Sequence, residues 1–217
     1  MSRPRYFPAP QSAASDGFLG VGGLMTPDWL LDAYQHGIFP WPLHDGTLAW
    51  FCPDPRAVFE FETFHVSRRL RETIRSGKFE VTFDQDFAAV IDGCASACDR
   101  RGSTWITPQL RAAYVRMHQL GYAHSAECRL DGRLVGGVYG MGLGGYFSAE
   151  SMFYYESGAS KVALVALVER LKTRGYGLLD IQQMTPNSQR FGAVDIPRRE
   201  FLRRVAVAVN LPATFVD

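Results

Sequence analysis

Three side chains stand out as chemistry in sequence that otherwise reads as buried strand. Glu150 opens Glu150-Ser-Met-Phe153, and Asp180 and Gln182 bracket Asp180-Ile-Gln182. An unpaired polar group in such a setting costs about 1–3 kcal/mol, so a chain that carries the cost twice has a partner or a ligand to offset it. Asp180 and Gln182 are two apart and point to one face of a strand. They read either as a strand end that caps a helix or meets water, or as a carboxylate and an amide that orient a nucleophile or hold a carbonyl. Glu150 is similarly double: a structural partner of Lys161, or a carboxylate offered to a ligand ammonium through a charge-assisted bond of roughly 1.5–3 kcal/mol.

Other residues carry binding chemistry. Trp41 follows Pro40 and Trp105 follows Thr104 in loop-like sequence. Each is either a core residue or a platform for an unpaired base, worth roughly 1–3 kcal/mol per base. Arg68, Arg71, Arg75 and Lys78 fall at spacings of three and four, hence on one helical face. That face is either solvated surface or a track for phosphates. A second basic cluster, Arg198, Arg199, Arg203 and Arg204, reads as ordinary helix surface. The glycines of Gly140–Gly145 lie between two strands, which makes them a hairpin turn and not a phosphate loop. His36, His44, His65, His118 and His124 are scattered singly and form no nucleophile arrangement.

The elements that must position these groups are legible. Thr26 caps a helix with Pro27 in its first position, Leu30, Leu31 and Tyr34 as its apolar stripe and Gly37 as its stop. The first 25 residues before it read as an irregular lead-in. The Pro-rich Cys52-Pro-Asp-Pro-Arg56 suits a junction. Beyond it strands are expected at 57–61, 78–83, 124–130, 134–140, 146–153 and 178–182, with Asp131-Gly132 as a type I′ hairpin turn. Helices are expected at about 67–76, 87–94, 107–120, 159–174 and 197–209. The pattern predicts an α/β (α+β) chain with a mixed sheet over 56–217, preceded by a small N-terminal lobe over 1–55.

Composition bounds the function. The 217 residues are 47% hydrophobic, enough for a core without metal or disulfide support, and the net charge of +1 leaves any nucleic-acid contact to local patches. Cys52, Cys94, Cys98 and Cys128 lack paired ligand spacing, so no metal is expected. No apolar run approaches the ~18 residues of a membrane span and no basic leader precedes an apolar one, which points to a reducing cytoplasm.

Gly37-Ile-Phe-Pro-Trp41, Trp50-Phe-Cys-Pro-Asp-Pro-Arg-Ala-Val58, Gly93-Cys-Ala-Ser96, Thr104-Trp-Ile-Thr107, His124-Ser125, Val135–Gly140, Glu150-Ser-Met-Phe153, Ala159-Ser-Lys161 and Asp180-Ile-Gln182 occur in an order that resembles the leucyl/phenylalanyl-tRNA–protein transferases. The resemblance implies a GCN5-related N-acetyltransferase-like catalytic domain. It implies transfer of Leu or Phe, with Met as a third candidate, from charged tRNA to the N-terminal Lys or Arg of an acceptor protein, which marks that protein for degradation. It implies no cofactor and no membrane, and a monomer is expected. On this resemblance Trp41 stacks on the terminal adenine of tRNA, Trp105 is the second Trp of that site, and Glu150 lies near the aminoacyl α-amine. Asp180 and Gln182 lie at the reacting ester, and Val138, Phe147, Met152, Leu167 and Leu179 line the aminoacyl side-chain pocket. The stretch after Gln182, Gln183-Met-Thr-Pro-Asn-Ser-Gln-Arg-Phe191, lacks the histidine often found there in the family.

The implied reaction is aminolysis of an ester. The attacking α-amine has a pKa near ~8, so a strong base is not essential, and a carboxylate of ordinary pKa near ~3.9 is a poor one. A positional role is therefore expected: Asp180 fixes Gln182, and the Gln182 amide orients the amine or steadies the oxyanion. An acyl-CoA N-acyltransferase and a non-catalytic RNA-binding module are the rival readings. The first lacks a pyrophosphate loop ahead of Ala159, and the second leaves Glu150 with Asp180 and Gln182 unexplained.

Overall fold

The computed structural model describes residues 3–43, 45–97 and 104–216; His44 and Cys98 fall outside them. The N-terminal lobe is built on a small sheet of β1 (Phe18–Val21), β2 (Phe39–Pro40) and β3 (Ala49–Phe51) in the order β1-β3-β2, with α1 (Pro27–Gln35) packed on it. The lead-in is thus partly ordered: Phe18 pairs with Phe51 and Val21 with Ala49. Burial explains it, because Leu19 and the aromatic rings of Phe7, Trp29 and Trp50 cover one another there.

The large sheet collects β4 (Arg56–Phe59), β5 (Glu80–Phe83), β6 (Ala123–Leu130), β7 (Arg133–Leu143), β8 (Tyr146–Tyr154), β9 (Leu178–Gln182) and β10 (Val194–Ile196) in the order β10-β4-β9-β8-β7-β6-β5. Every neighbour pair is antiparallel except β8 with β9. This is the mixed α/β class expected. Asp131 (φ 52°) and Gly132 (φ 75°) both sit in the left-handed region, as a type I′ turn requires. Around the sheet lie α2 (Arg68–Arg75), α3 (Phe87–Ala97), α4 (Pro108–Gln119), α5 (Ala159–Thr173), the short α6 (Pro186–Gln189) and α7 (Arg198–Ala208). Periodicity predicts neither α6 nor β10, which are too short to show a period.

Two apolar clusters divide the interior. One contains α5 with Phe59, Val138, Phe147, Leu167 and Leu179. The other runs without a break from Leu30, Tyr34 and Trp50 of the N-terminal lobe to Tyr114, Tyr139, Tyr146 and Phe201. Gly136 lets α5 seat close to β7, since a Cβ there would stand 2.7 Å from the Ala159 methyl and 3.0 Å from the Ser160 nitrogen.

Two expectations about cations need correction. Arg198 is not surface: it is 9% exposed, its guanidinium Nη1 donates to the carbonyls of Pro10 (3.2 Å) and Ala13 (2.8 Å), and its backbone N–H donates to Asp54 (3.0 Å). The N-terminal segment crosses the start of α7, and its carbonyls, lacking sheet partners there, take donors from Arg198. Lys78 is not on the basic helix, because α2 ends before Gly77, whose φ of 65° breaks it. Arg68, Arg71 and Arg75 share the exposed face of α2, with Arg68 paired to Glu72 at 2.9 Å. No described helix is long and apolar enough to cross a membrane, and among the described residues no His, Cys, Asp or Glu cluster could hold a metal ion.

Candidate active site

The site forms where β8 and β9 part. Their parallel pairing covers Tyr146–Leu178, Phe147–Leu179 and Ser148–Asp180 and then stops. Both strands are bulged just beyond. On β8, Tyr139 faces Ser151 and Gly140 faces Ala149, leaving Glu150 as the extra residue. On β9, Ala57 faces Gln182 and Val58 faces Asp180, leaving Ile181 over, and Gln182 itself takes a left-handed φ of 64°. Bulges re-aim side chains, and here they turn Glu150 and Gln182 toward each other. Gln182 Nε2 donates to Glu150 Oε2 at 2.9 Å across the gap. A non-glycine residue in that backbone region is strained by of order 1–3 kcal/mol and needs a clamp.

Asp180 is the clamp. Its Oδ1 accepts from Arg56 Nε (2.8 Å) and from the Gln182 backbone N–H (2.8 Å). Its Oδ2 accepts from Arg56 Nη2 (2.6 Å), the Tyr146 hydroxyl (2.7 Å) and the Ser148 hydroxyl (3.3 Å). Asp180 and Arg56 are both 0% exposed, and the guanidinium lies between the rings of Phe39 (4.7 Å) and Phe201 (4.4 Å). Both of its oxygens accept from donors, and neither it nor Arg56 has surface in water.

Glu150 is held differently. Its partners include the Ser148 hydroxyl (3.0 Å), the Tyr114 hydroxyl (3.3 Å) and Gln182, none of them cationic; the expected pairing with Lys161 is absent among the described residues. Tyr34 meets Tyr114 oxygen to oxygen at 2.6 Å behind it. Burial pushes the Glu150 carboxyl up to about 7, against the pull of its hydrogen bonds with Tyr34, Gln182 and Ser148. Part of the side chain still faces an open cleft, so the full effect of burial is softened by solvent. Burial, then the Glu150 charge, holds both tyrosines well above their ordinary value, so they remain donors.

That cleft has a volume of about 290 Å³ and lies on the α5 side of the gap, where Val138, Met152, Leu164 and Ile181 form an apolar wall and Glu150 and Gln183 stand at the polar rim. Of the residues expected to line an aminoacyl pocket, Val138 and Met152 line this cleft. Phe147, Leu167 and Leu179 are 0% exposed in the apolar cluster behind that wall. Trp41 and Trp105 stack on each other at 4.8 Å between centroids and 13° between planes, beside a second, larger cleft of about 760 Å³. Sequence reasoning does not find Arg56, Tyr146, Ser148, Tyr34 or Tyr114 as members of this network. Tyr34 and Tyr114 are legible only as apolar stripe positions. The signal for Arg56 is a charge at the head of a strand that is otherwise Ala57-Val58-Phe59.

Comparison with known proteins sets this chain among its relatives. Residues 58–206 match the leucyl/phenylalanyl-tRNA protein transferase family, and residues 23–54 match the N-terminal domain of the same family. The chain is 50% identical over 200 residues to the leucyl/phenylalanyl-tRNA–protein transferase of Azoarcus sp. (strain BH72), covering 92% of this chain and 85% of that protein. It is 46% identical over 209 residues to the enzyme of that name from Pseudomonas entomophila (strain L48), covering 95% and 92%. Among solved structures, a functionally unknown conserved protein from Staphylococcus epidermidis is similar with a TM-score of 0.47 and 10% identity, covering 83% of this chain and 68% of that one. A GCN5-related N-acetyltransferase from Kribbella flavida is similar at 0.42 and 12%, covering 78% and 60%. The chain is a transferase. More narrowly, it belongs to the leucyl/phenylalanyl-tRNA–protein transferase family.

Proposed function

We propose that this chain moves Leu or Phe, with Met as a third candidate donor, from charged tRNA in the cytoplasm to the N-terminal Lys or Arg of acceptor proteins, creating a degradation signal. The observation that carries the reading is the Glu150–Gln182 contact at 2.9 Å spanning the gap beside an apolar cleft. The aminoacyl side chain enters that cleft, Glu150 faces its α-amine, and the terminal adenosine rests on the Trp41–Trp105 pair. Because those rings touch, an adenine stacks on an outer face or parts them. The 1–55 lobe supplies Trp41 and Tyr34, and the 56–217 domain supplies the rest.

An ionised carboxylate only accepts hydrogen bonds, so Glu150 fixes the Gln182 amide with its nitrogen inward. The Gln182 carbonyl oxygen is then the end of the amide that Glu150 leaves unused, and it accepts an N–H of the attacking α-amine and aims the nitrogen lone pair at the ester. The nitrogen bonds to the ester carbonyl carbon, the carbon–oxygen bond to the ribose breaks, and the amine proton passes to the leaving ribose oxygen through the neighbouring hydroxyl. Asp180 takes no proton; it holds Gln182 in its left-handed conformation. This favours the amine-orienting role of Gln182 over an oxyanion-holding one.

Labelled leucyl-tRNA and an Arg-initiated peptide, with and without ribonuclease and with acetyl-CoA in parallel, provide the test. Label in the peptide, abolished by ribonuclease, is the expected result. Acetyl transfer, or tRNA binding without transfer, would assign the chain to one of the rival classes.

A further inference from the structure

The N-terminus of α5 opens into two adjoining cavities that the proposed chemistry does not use. One, of about 360 Å³, includes Ser157, Gly158, Ser160 and Lys161 in its wall and shares Met152 and Asn187 with the aminoacyl cleft. The other, of about 250 Å³, shares Ser157, Gly158 and Lys161 and reaches Arg69 on α2. No carboxylate lines either of them, whereas Glu150 lines the aminoacyl cleft and Asp45 the cleft beside the tryptophans.

The groups that meet there are all suited to an anion. Gly158 occupies the cap position and no side chain caps the helix, so N–H groups of the first turn are left without a side-chain acceptor at the positive end of a 15-residue dipole. The Ser160 side chain is 4% exposed and lines the cavity, yet its hydroxyl has no hydrogen-bond partner among the described residues. Lys161 and Arg69 likewise have no ion-pair partner there, since Glu72 on α2 is engaged by Arg68. A hydroxyl without a partner among the described residues, on a residue only 4% exposed and opening to the cavity, stands beside uncapped N–H groups and two uncompensated cations, and together they have the donors and the charge that a phosphate requires.

We propose that the first turn of α5, with Ser160, Lys161 and Arg69, is a phosphate-binding subsite that grips a backbone phosphate of the RNA donor between the basic face of α2 and the aminoacyl cleft. The position favours RNA over a free small anion, because the two cavities are continuous with the aminoacyl cleft at one end and with α2 at the other. The inference rests on the aminoacyl-tRNA reading above, and its test separates the two.

The experiment compares leucyl-tRNA with leucyl-adenosine, an ester donor that has no phosphate, in the full-length chain and in Ser160→Ala/Lys161→Gln. The double variant should raise KM for leucyl-tRNA roughly tenfold with kcat unchanged, and flatten the dependence of log KM on log salt by about 0.7–0.9 for each phosphate interaction removed. Leucyl-adenosine kinetics should not change, and Lys161→Arg should behave as the parent chain. Inorganic pyrophosphate should compete with leucyl-tRNA but not with leucyl-adenosine, and the double variant should lose that competition. Equal damage to both donors, or to neither, overturns the subsite. Pyrophosphate bound at Lys161 with no effect on leucyl-tRNA assigns it instead to a small phosphorylated ligand and overturns the RNA assignment. If the parent chain uses neither donor, the proposed transfer itself fails.

Discussion

Asp180 and Glu150 lie on facing strands, joined through Gln182, yet their surroundings are opposites. Asp180 is buried against a guanidinium and accepts from four donors of its own, with the Ser148 hydroxyl shared between it and Glu150. Glu150 faces hydroxyls and an amide, keeps an opening to the cleft, and has no cation bonded to it among the described residues. The difference separates holding from handling. A carboxylate held on both oxygens, by a guanidinium among other donors, is suited to fixing geometry. One surrounded by neutral donors can change its charge, or lend it to a ligand, within the physiological range.

The largest break comes from the holding side. Arg56→Ala leaves Asp180 buried without its counter-charge, which costs about 3–5 kcal/mol. For a chain of this length that lowers Tm by roughly 10 °C, read by calorimetry, and transfer should vanish with it. Asp180→Asn should do nearly the same, because an amide presents a donor where Arg56, Tyr146 and Ser148 already donate. A variant Asp180→Asn that kept its Tm within about 2 °C while losing kcat alone would sink the clamp and restore a base role.

Gln182 tests the link between the two. Gln182→Ala should lower kcat by roughly 10²–10³-fold while Tm falls by only a few degrees, since little burial is lost. Gln182→Gly should regain stability over Gln182→Ala, because glycine takes the left-handed backbone without strain, but should regain no activity. Recovery of transfer in the glycine variant would show that backbone geometry, and not the amide, carries the chemistry.

How much of this is readable from residues alone follows from the same contrast. Alternation and capping residues place the long elements, the Asp131-Gly132 hairpin and the Asp180/Gln182 strand. The sequence also marks Glu150, Asp180 and Gln182 as polar intrusions, which they are. What it does not carry is the pair of bulges, because a bulge leaves no residue-type signature when its extra members are Glu150 and Ile181. Without the bulges, Glu150 could not be aimed at Gln182. Arg56 and Asp180 are 124 positions apart, and nothing local ties a charge to a partner at that distance. The basic stripe fails more simply: counting residues carries it through Gly77, where the backbone turns left-handed and ends α2.

On the handling side the effects are smaller and follow pH. The Glu150 carboxyl at about 7 holds its proton more tightly folded than unfolded, where its ordinary value is 4.5. Its contribution to stability is therefore fully present below about 4.5 and is lost as pH rises toward 7. Glu150→Gln removes that loss. At pH 8 the variant should be more stable than the parent by roughly 1–2 kcal/mol, a gain of about 2–8 °C in Tm that shrinks to nothing near pH 4.5. Transfer should move the other way, since the glutamine cannot pair with the aminoacyl ammonium, and the step near pH 7 in the parent's rate profile should disappear, leaving only the acid limb that the attacking amine sets near its own pKa of ~8. A step near pH 7 that persists in Glu150→Gln would leave Glu150 a fixed neutral prop.

The smallest expected effect lies farther back, at Tyr114, whose hydroxyl joins Tyr34 to Glu150 at 3.3 Å. Tyr114→Phe keeps the ring in its buried place and removes one donor from the carboxylate. A hydrogen bond to the ionised form lowers a carboxyl's pKa, so its loss should move the step near pH 7 in the rate profile upward, by about half a unit to one unit for roughly 1 kcal/mol of lost interaction. At pH 8.5, where Glu150 is ionised in both proteins, kcat should differ by less than about threefold; at pH 6.5 the variant should be several-fold slower. On the proposed mechanism no such effect follows from Tyr146→Phe, which removes one donor from a carboxylate whose part is to position Gln182. That variant should lose stability with the rate profile unmoved. If both tyrosine variants shift the step, or neither does, the division between a carboxylate that holds and one that handles does not survive.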